Sequence, residues 1–289
     1  TKPKDAKWAE PATVVDRMTF RFDGGGYLPS GNQQVFVVPA DGGTPRQMTS
    51  GDYPISGTVS WMPDSQSIVL SSNRRENVEY HPRQNDLYAA SITTGELTQM
   101  TDHAGPEGNP AASPNGRYLA YTSAADTRQG YNRADLRVMD LTSGESRSLT
   151  ADLDRSVSDI QWSADSKSVW IRYNDLGMAR IAEVDLKGNL TRADVVLGGT
   201  ALGRPYTSGT FSVGGKDRIA YTLGRDDRPA DLALMRSGKQ PLQLTDLNSD
   251  LMGQREMSRV ERMVWPSSHD GMEIEGWVMK PPGFDPEKQ

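Results

Sequence analysis

The chain has no cysteine. That excludes disulfides, thiolate metal sites and a cysteine nucleophile, and leaves the redox compartment open. A basic surplus is also missing: 32 Lys and Arg face 38 Asp and Glu, for a formal net charge of −6. Without a positive footprint for a phosphate backbone, nucleic acid is not an expected partner. No apolar run approaches the roughly 18 to 20 residues that a membrane-spanning helix requires, so no membrane span is expected. Histidine is scarce. His81, His103 and His269 are the three in the sequence, each in a polar loop or turn, and nothing announces their convergence into a zinc site or a serine triad. All three are expected to be solvent-exposed loop residues.

What the chain has in quantity is repetition. The segments SWMPDSQSIVLSSN (60–73), AASPNGRYLAYTSA (111–124), QWSADSKSVWIRYN (161–174) and FSVGGKDRIAYTLG (211–224) align, with turn residues Asp64, Asn115, Asp165 and Gly215 spaced by 51, 50 and 50 positions. Four positions after each stands an apolar residue: Ile68, Leu119, Val169 or Ile219. A second series follows in step, NDLYAASITTGELTQMT, ADLRVMDLTSGESRSLT, ARIAEVDLKGNLTRA and ADLALMRSGKQPLQLT, each a strand, a Gly turn and another strand. Internal repeats at this period indicate a propeller, solenoid or array. The unit is four short strands, its first turn set by pairs such as Pro63-Asp64 and Asn115-Gly116 and its third by Thr94-Gly95, Ser143-Gly144 and Lys187-Gly188.

The second strands SIVL, YLAY, VWIR and IAYT do not alternate between apolar and polar. A sheet with one wet face alternates, whereas continuous apolar runs mean packing on both faces. Sheets packed between sheets predict an all-β fold, a β-propeller of four-stranded antiparallel blades. No long helix is indicated. Complete blades are expected at about 55–101, 106–150, 156–196 and 203–245, and residues 13–49 supply the later strands of another. About 4.5 blades are thus present. Because a propeller must close into a ring, the natural chain is expected to extend upstream by two or more blades, to about seven.

The last stretch breaks the repeat. VERMVW and EIEGWVMK are strand-like runs flanking the turn SSHDG, and Pro281-Pro282-Gly283 is a breaker. With FRFDGGGYL (20–28), VFVVPADGGTPRQMT (35–49), SSNRRENVEYHPRQNDLY (71–88) and above all VERMVWPSSHDGMEIEGWVMKPPGF (260–284), the sequence resembles the propeller of the prolyl oligopeptidase family of serine peptidases, in particular its acylaminoacyl-peptidase and dipeptidyl-aminopeptidase-like bacterial members. The resemblance implies a propeller over 1–258, with 259–289 as the return into an α/β-hydrolase domain and its first hairpin. It also implies peptide hydrolysis by a Ser-Asp-His triad expected beyond Gln289. No G-x-S-x-G nucleophile elbow occurs in these residues, so this segment alone is expected to be inactive. The implied partners are a peptide substrate, the chain's own α/β-hydrolase domain and, as one option, further copies in a homo-oligomer. No metal or organic cofactor is implied, and a bacterial periplasm is weakly favoured over cytoplasm.

The loops between second and third strands are unequal. NRRENVEYHPRQN (73–85) and SAADTRQGYNRA (123–134) are about twice as long as their two later counterparts. Such loops leave the same propeller face as the blade-to-blade links, so Arg74, Arg75, Glu76, Glu79, Arg83, Arg128, Tyr131 and Arg133 are candidates for a substrate-binding cluster. Arginines can clamp a carbonyl or carboxylate, and Glu76 or Glu79 could pair with a peptide amine. A solvated rim or a domain interface accounts for the same residues. The double-Glu anchor of dipeptidyl peptidases is not recognisable. The near Asp-box at 163–170, SADSKSVW, coincides with the ordinary repeat turn, and DGGGYL reads as a loop. A different class also fits the repeats: a non-catalytic propeller that binds a protein or small ligand, like the repeat propellers resembling TolB.

Overall fold

The computed structural model describes residues 3–9, 12–199, 208–215, 218–236 and 239–287. Short ladders come first: β1 (Arg21–Phe22) pairs with β2 (Gly26–Tyr27), and β3 (Phe36–Val37) with β4 (Arg46–Gln47). The four complete blades follow as antiparallel four-stranded sheets. The first is β5 (Ile55–Trp61), β6 (Ser67–Ser72), β7 (Asp86–Ser91) and β8 (Leu97–Gln99). The second is β9 (Glu107–Ala112), β10 (Tyr118–Ser123), β11 (Asp135–Asp140) and β12 (Ser146–Ser148). β13 (Val157–Trp162), β14 (Ser168–Asp175), β15 (Met178–Asp185) and β16 (Leu190–Arg192) make the third. β17 (Phe211–Gly214), β18 (Arg218–Leu223), β19 (Asp231–Arg236) and β20 (Leu242–Gln243) make the fourth. A one-turn helix α1 (Ser249–Met252) leads to the hairpin of β21 (Arg259–Pro266) and β22 (Glu273–Lys280). The blade boundaries match the repeat; the expected opening of the fourth at 203–207 lies outside the described residues. Of residues 13–49, β3 and β4 pair as strands of a further blade and pack Val35, Val37 and Met48 against Ile68 and Leu70, whereas β1 and β2 pair with each other.

The repeat turns form for stated reasons. Ser65, Gly116, Ser166 and Gly215 occupy left-handed backbone at φ 60°, 71°, 60° and 65°. Preceding Asx side chains hold the bend: Asp64, Asn115 and Asp165 each accept a hydrogen bond from the backbone N–H two residues on. The inner strand of each of the first three blades carries a bulge, with Gly57, Asn109 and Asp159 at φ 70°, 50° and 50°. Gly, Asn and Asp are the residues that tolerate this conformation, and the bulge bends the strand toward the axis.

The second strands are buried on both faces, as their continuous apolar pattern predicts. Val69, Leu70, Leu119, Val169 and Ile171 have no exposed surface. Leu136 and Val138 of one blade pack with Trp162, Val169 and Ile171 of the next, and each such buried side chain contributes about 1.5–3 kcal/mol. Side-chain hydrogen bonds between blades span one repeat: Trp162 Nε1 donates to the Ala111 carbonyl at 2.8 Å, and Gln161 both donates to the Phe211 carbonyl and accepts from Val213 N–H. Within blades, the closing threonines form a clasp, following Gln two residues earlier in three cases and Ser148 before Thr150. Thr49, Thr101, Thr150 and Thr245 accept from the N–H of Val35, Leu87, Leu136 and Leu232, at 2.8–2.9 Å.

Candidate functional site

In an antiparallel blade the β6–β7 type of loop and the link to the next blade leave one face, and the two tight turns leave the other. The long loops therefore share a face, and the structure joins them. Gln84 Nε2 donates to Asp126 Oδ2 at 2.8 Å and the Arg83 guanidinium donates to the Gln129 carbonyl. Asn73 Nδ2 closes the first loop on the His81 carbonyl at 2.6 Å. Between the loops lies a recess of about 360 Å³ lined by Tyr80, Arg83, Asp126 and Arg128. Beside it, toward the third blade, a second of about 320 Å³ holds His103, Tyr131, Arg133 and Arg137.

The eight predicted residues do not form one cluster. Arg83 and Arg128 share the first recess, and Tyr131 and Arg133 the second. Arg133 is tied by an ion pair to Asp135 at 3.1 Å and a bond to the Leu153 carbonyl. Arg74 stacks over Tyr53, 4.2 Å from the ring centroid. Arg75 bridges Asp86 at 3.2 Å and Asp102 at 3.1 Å, so it braces the blade edge rather than reaching outward. Glu79 accepts from the Met18 N–H at 3.0 Å, and Glu76 is exposed. Glu76, Arg128 and Tyr131 are the members with exposed side chains and no bonded partner among the described residues; Tyr131 is 81% exposed.

Beneath this rim lies a buried polar group that the sequence reading passed over. Glu107 is 2% exposed, at the start of β9. Burial pushes its carboxyl above the ordinary range, against the opposing pull of Thr101, His103 and Ser123. Asp86 is likewise raised by burial, with Arg75 pulling it back. The expectation of three exposed histidines holds for His81 and His269. It fails for His103, which is half-buried with Nδ1 enclosed and unpartnered, because the first blade-to-blade link folds down between Asp86 and Ser123. A signal for Glu107 exists in the repeat. Its pairing with Ser123 corresponds to Ile55 with Ser72 and Val157 with Tyr173, so a carboxylate stands where the neighbouring blades place an apolar residue. Among the described residues no three His, Asp or Glu side chains come together to hold a metal ion, and no helix is long and apolar enough to cross a membrane.

The terminal hairpin seats on this same face. The indole of Trp277 covers Gly177 in the β14–β15 turn so closely that a Cβ there would lie 2.3 Å from the ring. A cavity of about 320 Å³ flanks the seat, lined by Leu197, Gly224, Val260, Trp277 and Met279. Away from the seat, apolar groups of the hairpin are uncovered, with Met263 49% and Trp265 44% exposed.

Four-stranded antiparallel blades of this kind define a portion of a β-propeller. Residues 5–129 match the family model described as the dipeptidyl peptidase IV (DPP IV) N-terminal region. Dipeptidyl-peptidase 5 of Porphyromonas gingivalis is 27% identical over 236 residues, which are 80% of this chain and 33% of that protein. The chain thus spans about a third of that relative's length. An acylaminoacyl peptidase from Pyrococcus horikoshii has the same fold at a TM-score of 0.66 and 17% identity, over 95% of this chain and 40% of that one. TolB from Acinetobacter baumannii shares it at a TM-score of 0.53 and 19% identity, over 86% of this chain and 60% of that one. These matches make the chain similar to the propeller portions of prolyl oligopeptidase-family peptidases.

Proposed function

We propose that the loop face of the first two complete blades is the substrate-facing side of a serine peptidase, and that residues 259–289 begin the α/β-hydrolase domain the propeller covers. The observation that carries this reading is the Trp277 seat on Gly177, which puts the hairpin on the same face as both long loops. A domain continuing from β22 would look onto the Arg83–Arg128 recess and cover the apolar groups the hairpin leaves bare. The propeller then restricts access to short or unfolded peptides, and the recess guanidiniums bind a peptide carbonyl or carboxylate. Attack would come from an activated Ser with His and Asp, with backbone donors stabilising the oxyanion. This segment by itself is inactive. The family-model match covers the first long loop and much of the second, which favours this reading over a binding module of the TolB kind.

The test uses the intact peptidase carrying this propeller, with Arg83→Ala and Arg128→Ala singly and together, on peptides with free and blocked ends. The double change is expected to lower kcat/KM about tenfold for at least one class, since a charge-assisted bond is worth about 1.5–3 kcal/mol. Equal kcat/KM for all peptides in wild type and double variant would remove the recess from substrate binding.

A further inference from the structure

The opposite face of the propeller, where the tight turns emerge, carries a second and unrelated feature. A cleft of about 590 Å³ opens between the third and fourth complete blades. Its floor is apolar, made by Trp170, Ile219 and Met235, and its fourth-blade wall is cationic, made by Arg218, Arg236 and Lys239. Arg218 and Arg236 are direct cross-strand partners in the β18–β19 ladder. Like charges placed directly opposite destabilise an antiparallel pair. Among the described residues no carboxylate forms an ion pair with Arg218, Arg236 or Lys239, and Arg236 Nε is enclosed with no acceptor. The acidic groups of the cleft form no ion pair with these three cations: Glu183 accepts from the Ser168 hydroxyl, and Asp194 is exposed.

This arrangement is costly for the fold alone. Two guanidiniums face each other across a ladder and a buried N–H lacks a partner, each a term that an external anion would reverse. The volume falls in the range of small-ligand sites, and an apolar floor beside a few converging polar groups is their usual make-up. We infer that the cleft between the third and fourth complete blades binds a carboxylate borne on a small apolar group. The carboxylate sits between Arg218 and Arg236, with Lys239 beside them, and the apolar group lies on Trp170, Ile219 and Met235. Such chemistry is offered by a free organic acid and by an acidic peptide segment.

Calorimetric titration of the intact protein carrying this propeller with N-acetyl-leucine, with an acetylated and amidated Glu-Leu-Glu peptide, and with neutral N-acetyl-leucinamide distinguishes these. Binding of N-acetyl-leucine alone assigns the site to small organic acids, and binding of the blocked acidic peptide assigns it to an acidic segment. In both cases the affinity should fall about tenfold in Arg218→Gln or Arg236→Gln and weaken with added salt. Arg218→Glu should abolish binding and raise the melting temperature, because it turns a like-charge cross-strand pair into an opposite-charge one. If Arg236→Gln fails to fold, the exposed Arg218→Gln and Lys239→Gln variants carry the comparison. Absence of binding by either anion, or equal binding by N-acetyl-leucinamide or by the variants, would overturn the inference.

Discussion

Two sets of arginines in this propeller live under different rules. On the loop face Arg75 holds Asp86 and Asp102, Arg133 holds Asp135 and Arg74 lies on Tyr53, so these cations are spent on the scaffold. On the turn face Arg218 and Arg236 oppose each other with no ion-pair partner among the described residues. What differs is whether a carboxylate lies within ion-pair reach, and that decides whether an arginine braces the blade or is available to a ligand.

The sharpest way to break this comparison is to truncate a bracing arginine. Arg75→Ala leaves Asp86, with 1% side-chain exposure, as a buried charge without its main partner. Stability should fall by about 2–4 kcal/mol, read as a lower urea midpoint with an unchanged slope. A loss below about 0.5 kcal/mol would mean that Arg75 is as free as Arg218. The hairpin seat offers the next largest effect. Gly177→Ala puts a Cβ into the Trp277 ring at a residue with φ 68°, so the hairpin must lift. A loss of about 2 kcal/mol and a red shift of tryptophan emission are expected, and unchanged emission would deny that Trp277 is seated there.

The smallest change probes the buried carboxylate beneath the rim. Because burial raises the Glu107 carboxyl, the folded state holds its proton at higher pH than the unfolded chain does. Its stabilising contribution is then fully present below the ordinary value near 4.5 and is lost as pH rises through the folded one. Glu107→Gln, which cannot ionise, should match wild type in acid and become the more stable protein toward neutral pH. A melting-temperature difference that stays constant from pH 4 to 8 would show that ionisation of Glu107 is not what the fold resists.

Much of this architecture is legible in the letters. The 50-residue spacing of Asp64, Asn115, Asp165 and Gly215 fixes the blades, because a tight turn needs an Asx or Gly residue wherever it falls. The apolar runs at 68–70 and 119–121 announce burial on both faces, and the closing SSHDG turn announces the hairpin. The candidate site was only half legible. Its loops were visible from their length. Yet which arginines are tied down depends on Asp86, Asp102 and Asp135, residues that are close in space and that no spacing rule pairs with them. Glu107 was readable by comparison with Ile55 and Val157, and only once the strand register was known.

The sequence by itself thus determined the blade, since period, turn chemistry and apolar runs are local properties that each repeat carries in full. The tertiary structure alone decided which charges are neutralised, where the hairpin rests, and that Arg218 meets Arg236. Those depend on distances between residues far apart in the chain or on a register set by the whole sheet, and Coulomb energies and close contacts change over a few ångströms in ways a linear pattern does not record.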